Sequence, residues 1–164
     1  MFSSFWGLGE ITVAFTHSIF MILCGWVFLG GDIANAFPWL VGLPMFLAVF
    51  SAITLAGVPD EKADAAAGKA TLVVKSSTRV GACVALIGTL AAVGAVFAPG
   101  PTAWRHFSEV AIPTSVHGVL LIALLSRYLM QGAGCRRIDS ILFAALSFVL
   151  WFSVAPLISL LRAE

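Results

Sequence analysis

Charge is the scarcest property of this sequence. Of 164 residues only 9 are Lys or Arg and 8 are Asp or Glu, so 10% carry charge, against roughly a quarter in an ordinary soluble domain. With 60% hydrophobic residues and a mean hydropathy of +1.04, the chain has too little polar surface to coat a globule in water. Its formal net charge of +1 leaves no field that would gather nucleic acid or an acidic partner. Cysteine is sparse too. Cys24, Cys83 and Cys135 form no CxxC or Cys/His pattern, which excludes a zinc or iron–sulfur framework and leaves them as expected buried packing residues. The opening stretch MFSSFWGLGE has no Lys or Arg before the apolar run, unlike a secretory signal, so the first helix is expected to be retained. No internal repeat or low-complexity tract divides the chain, which reads as a single helical domain.

What fills the sequence instead is five apolar runs, near 11–30, 37–56, 79–98, 110–131 and 139–161. Each approaches the roughly 20 residues that cross a bilayer at about 1.5 Å per residue. Their continuous Leu, Ala and Phe content lacks the alternation of a lipid-facing strand, so the expected fold class is an all-α integral membrane protein with five transmembrane helices. Turn-forming residues mark the breaks: GGD at 30–32, VPD at 58–60, PGP at 99–101 and QGAG at 131–134. Small residues in the third span, Gly81, Ala82, Ala85, Gly88, Ala92 and Gly94, predict close helix packing.

Five spans place the loops at 57–78 and 132–138 on one side of the membrane. Lys62, Lys69, Lys75, Arg79, Arg136 and Arg137, with Arg127 at a nearby helix end, gather there, leaving Arg105 and Arg162 opposite. By the positive-inside rule the first side is cytoplasmic, as is the N-terminus. Trp6, Trp26, Trp39 and Trp104 fall at the expected interfaces, whereas Trp151 lies mid-span and is expected to pack against another helix.

The segment PDEKADAAAGKATLVVKSSTR, from Pro59 to Arg79, concentrates acids, bases and hydroxyls in a chain otherwise almost without charge. Asp60 and Asp64 are four apart, so in an Ala-rich helical stretch both carboxylates share one face. Two such carboxylates suit Mg²⁺, which completes its shell with waters and substrate phosphates. Lys69 and Lys75, with Lys62 and Arg79 as weaker candidates, would neutralise phosphate oxygens, and Gly68 would end the helix. A charged loop between two spans also needs no role beyond setting topology.

The order Pro59, Asp60, Asp64, Gly68, Lys69, Thr71, Leu72, Val73, Val74 resembles the second aspartate-rich motif of UbiA-superfamily prenyltransferases, in the form found in 1,4-dihydroxy-2-naphthoate (menaquinone) enzymes. GLGE at 7–10 is similar to an element that precedes their fifth helix, so the chain resembles helices five to nine of their nine-helix fold. The resemblance implies Asp60 and Asp64 as metal-binding catalytic carboxylates and Lys69 as a diphosphate contact. It also implies a polyprenyl diphosphate donor, an aromatic acceptor attacking an allylic cation in a dry cavity, and a bacterial inner membrane. The family's first, Asn/Asp-rich motif has no counterpart: the remaining acids, Glu10, Asp32, Glu61, Glu109, Asp139 and Glu164, are scattered. Turnover is therefore expected only together with a partner half. The alternatives are a non-catalytic subunit of a respiratory or photosynthetic membrane complex that binds quinone, lipid or pigment, and a small transporter, disfavoured because no span carries a chain of ionisable groups.

Two intramembrane histidines, His17 and His117, complete the candidates. Each is expected to hydrogen-bond a neighbouring helix, with cofactor ligation or proton relay as the alternative. His106 and Glu109 are expected to be solvated on the outer side.

Overall fold

Helix forms wherever the sequence is continuously apolar, because backbone groups in hydrocarbon have no other partners. The computed structural model describes residues 7–36, 39–97, 108–131 and 138–161, and among them there is no strand. Helix α1 is Leu8–Phe28, two α-helical stretches joined by a π-helical turn at Thr16–Phe20. A short α2, Ile33–Ala36, leads into α3, Trp39–Ala66. The four-residue α4, Leu72–Lys75, precedes α5, Thr78–Phe97; α6 is Ser108–Gln131 and α7 Ile138–Leu161.

Four of these helices are long and apolar enough to cross a membrane: Leu8–Phe28, Val41–Ala66, Thr78–Phe97 and Ala111–Gln131. The described apolar part of α7, Ile138–Val154, is shorter. The chain is thus an all-α, multi-pass membrane protein. Helices α3, α5, α6 and α7 pack in a ring, each touching the next and α7 closing on α3. The core inside it is drawn from Ala52 and Leu55 of α3, Ala85 of α5, Leu121 and Leu125 of α6, and Phe148 of α7. Helix α1 lies outside, against α3, with its first stretch and π turn in contact and its last stretch packing appreciably only on the π turn and α2.

Lipid tails are as apolar as leucine, so these helices associate through close van der Waals contact rather than hydrophobic expulsion. The α3–α5 interface, the most extensive among the described residues, follows that rule. Gly81, Ala82, Ala85, Gly88 and Ala92 of α5 are all buried, and a Cβ at Gly88 would overlap the Ser51 hydroxyl of α3. Gly94 departs from the expectation, since it is exposed with no neighbour near its missing Cβ. Gly118 of α6 performs the same service on the other side of the ring, wedged between Val93 and Phe148.

The sequence breaks are partly confirmed. The GGD break ends α1, and the Asp32 side chain accepts from the Ala34 N–H at 2.8 Å. The VPD break does not occur: α3 runs through Pro59 to Ala66, so the loop expected at 57–78 begins only at 67. Proline removes one backbone donor without terminating the helix here, because Val58 is anchored in the core and the alanines beyond favour helix. The PGP motif and residues 132–134 lie outside the described residues, as do Trp6, Trp104, Arg105, His106, Cys135, Arg136, Arg137 and Arg162. Cys24, expected to be buried, is exposed, and Cys83 is half-buried; Cys24 sits on the stretch of α1 that leaves the bundle.

Gly118→Val is expected to overpack the ring and cost about 1–3 kcal/mol, visible as a lower thermal transition in detergent. Gly94→Ala, on the same end of the molecule but facing open space, should leave that transition unchanged or raise it.

Candidate functional site

The acidic segment is the end of α3, and its termination is written into the backbone. Gly68 has φ +69°, a left-handed conformation that costs a residue with a Cβ roughly 1–2 kcal/mol. With it, the Lys69 N–H bonds to the Asp64 carbonyl at 2.9 Å and the Gly68 N–H to the Ala65 carbonyl at 3.1 Å. This pair of bonds is the Schellman helix stop. That stop usually brings together two apolar side chains at the positions held here by Asp64 and Lys69. Instead Lys69 Nζ donates to Asp64 Oδ1 at 2.6 Å, the single ion pair among the described residues.

A carboxylate near a helix C-terminus faces the negative end of the helix dipole, and Asp64 is also largely buried. Lys69 offsets both. Its own amine is held above the ordinary lysine value, chiefly by the hydrogen bond from Nζ to Asp64, then by the Asp64 charge, with a smaller contribution from Asp60. The side chain is 58% exposed, so solvent screens the attraction.

Asp60 lies one turn earlier on the same helix and is exposed, as are Lys62, Lys75 and Arg79. Of the six site residues read from the sequence, only Asp64 and Lys69 are in contact. Lys75 ends α4 and Arg79 opens α5, so both border the loop without joining the pair.

Glu10, classed above with the scattered acids, is brought to this loop. It is buried, 7% exposed, and its Oε1 accepts the Leu72 backbone N–H at 2.7 Å. Thr71 Oγ1 accepts from the Val74 N–H at 3.3 Å, so the start of α4 is capped once from α1 and once locally. Gly7, with φ +68°, starts α1, and its Cα side lies against Leu72. The sequence signal was a lone acid in the first turn of an apolar helix, directly after GLG.

The donor set suits Mg²⁺ in part. Asp60 and Asp64 offer two carboxylates one turn apart, which is as many as that ion usually takes from protein. Asp64 Oδ1 is already held by Lys69, and among the described residues no group of three or more His, Cys, Asp or Glu converges. The pair could therefore hold such an ion only with oxygens supplied from elsewhere, as phosphate and water would do.

His117 meets its expectation. Its Nδ1 accepts from the Trp151 indole N–H at 3.2 Å, and its Nε2 lies 2.9 Å from the Ala144 carbonyl. Indole nitrogen only donates and a carbonyl only accepts, so the ring proton is on Nε2. Both ring nitrogens are thereby used in joining α6 to α7, and Trp151 packs across helices as expected. His17 does not bridge helices: its Nδ1 bonds within α1, to the Val13 carbonyl at 2.9 Å.

Comparison with protein-family models, with characterised proteins and with solved structures finds no match for the chain.

Two outcomes follow. A raised lysine pKa contributes stability that is present below 10.5, the ordinary value, and is lost as pH climbs through the raised one. Wild type should therefore melt above Lys69→Gln at neutral pH, and the gap should close only in the strongly alkaline range. Glu10→Ala leaves the Leu72 N–H without its partner, a loss of about 1–3 kcal/mol, and limited proteolysis at 67–77 should accelerate.

Proposed function

We propose that the chain is one half of a UbiA-type prenyltransferase. It corresponds to five membrane-spanning helices that bind Mg²⁺ and a polyprenyl diphosphate for transfer to an aromatic quinone precursor. The observation that carries this reading is the end of α3, where Asp60 and the Asp64–Lys69 pair stand one turn apart on a helix stopped by Gly68. Asp60 and Asp64 would hold the metal, which when bound would draw charge from the leaving diphosphate. Lys69 is already paired with Asp64 and would exchange that carboxylate for a phosphate oxygen, with Lys75, Lys62 and Arg79 at the rim adding positive charge. Glu10 would keep α4 and the loop in register with α3.

Half of the metal and phosphate ligands would come from helices outside these 164 residues, on another chain or a longer one. The arrangement of α1 supports that division: only 11% of its span is buried, against 50% for α3. In this reading the N-terminus and the loop at 67–77 face the cytoplasm of a bacterial inner membrane. A second reading, a non-catalytic subunit that binds quinone, lipid or pigment in a larger respiratory or photosynthetic complex, is favoured by the mutual neutralisation of Asp64 and Lys69.

Prenyl transfer with Mg²⁺ by the complex purified in mild detergent separates the two. The first reading expects transfer that falls by at least about a hundredfold in Asp60→Asn/Asp64→Asn, as removal of a main charge-stabilising group does. Absence of transfer in wild type, with assembly unaffected by the double substitution, favours the second.

A further inference from the structure

His17 lies near the middle of the Leu8–Phe28 span, and its side chain is exposed. Its Nδ1 is 2.9 Å from the Val13 carbonyl, one turn back, and 3.2 Å from Thr16 Oγ1. A carbonyl cannot donate, so Nδ1 carries the ring proton and the lone pair is on Nε2. Among the described residues nothing reaches that nitrogen. At mid-depth of a bilayer there is no water to take its place, and acyl chains offer no donor. His117 shows the contrast within the same chain, with both ring nitrogens bonded inside the bundle.

His17 sits on an irregular turn of the helix. The π-helical turn at Thr16–Phe20 widens the helix by a fraction of a residue, a distortion that recurs at functional positions. Ser18 is fully buried on the face of Ala14 and Glu10, four and eight residues back, while His17 is exposed. Beyond the turn, α1 leaves α3, and Met21, Val27 and Phe28 are 60%, 51% and 90% exposed.

We propose that this face of α1 is the docking surface for a transmembrane helix from outside these residues, which presents an O–H or N–H donor to His17 Nε2. The polar requirement of one imidazole in hydrocarbon specifies the partner's chemistry: a Ser, Thr, Asn, Gln, Tyr or Trp at mid-span on an otherwise apolar helix. This inference rests in part on the same exposed helix that supports the half-enzyme reading, and the experiment below reads association rather than prenyl transfer, so failure of the one is distinguishable from failure of the other.

The test places a photo-crosslinking residue at Met21, with Leu146 on α7 as the control position, in the full chain within native membranes. A discrete adduct is expected from Met21 and not from Leu146. It should persist in His17→Gln, which keeps an acceptor, and fall about three- to tenfold in His17→Leu, as loss of one membrane hydrogen bond would give. Peptide mapping of the adduct should find a donor residue opposite His17, and its replacement by Leu should reproduce the His17→Leu loss. Equal crosslinking in His17→Leu, or adducts with lipid only, would overturn the proposal. So would a porphyrin-type absorption band in the purified protein that vanishes in His17→Gln, since Nε2 would then be an axial metal ligand. Matching thermal transitions of the variants in detergent exclude loss of fold as the cause.

Discussion

Contact distance between α3 and α5 governs the rest of the molecule. In a bilayer, association depends on how closely two backbones approach, and Gly88 lies so close to Ser51 that no side chain fits between them. Helix α3 then has its other faces available for α7 and for the first half of α1, so every long helix except α6 is referenced to it. Helix α6 is attached through α5 and α7, and there the opening left by Gly118 admits Val93 and Phe148. Apolar bulk fills the ring, but absent side chains decide its diameter.

The charged end of α3 inherits its position from that arrangement. Asp64 and Lys69 meet because a left-handed glycine reverses the chain between them, and not because the loop folds as a separate unit. The loop's far side is fixed by Glu10, a carboxylate from a helix more than sixty residues away in sequence. One side-chain bond thus relates the first span to the acidic motif. Among the described residues, polar side-chain contacts between elements are few, and they fall where helices end or where two helices keep register, as His117 does for α6 and α7.

Much of this was legible in the sequence because membrane spans are set by composition over twenty residues, which local exceptions cannot erase. The helical pairing of Asp60 with Asp64 and the stop at Gly68 were legible for a similar reason: spacing four and a glycine after an alanine run are short-range signals. Pro59 misled, since a proline marks a break only when nothing downstream rebuilds the helix, and the alanines at 63 and 65–67 did. Cys24 misled because burial depends on which face of α1 meets α3, and an almost uniformly apolar helix carries no stripe to show it. Glu10 was visible as a residue but not as a contact, because its partner is a backbone amide, which leaves no trace in side-chain identity. The opposite behaviour of His17 and His117 was equally hidden, as it turns on which face of α1 meets α3 in one case and on an indole from another helix in the other.

The unbroken passage of α3 through Pro59 has a mechanical consequence. Its 28 residues make a rod about 42 Å long at 1.5 Å per residue, whereas bilayer hydrocarbon is about 30 Å thick. Val58 is the last large apolar side chain of the helix, so the turns beyond it, which carry Asp60 and Asp64, are the length a hydrocarbon crossing does not need. That end is not free: α4 and the first stretch of α1 pack against α3, and Glu10 holds α4 through the Leu72 N–H, so the surplus turns tie the acidic pair to the first span as well as to the ring.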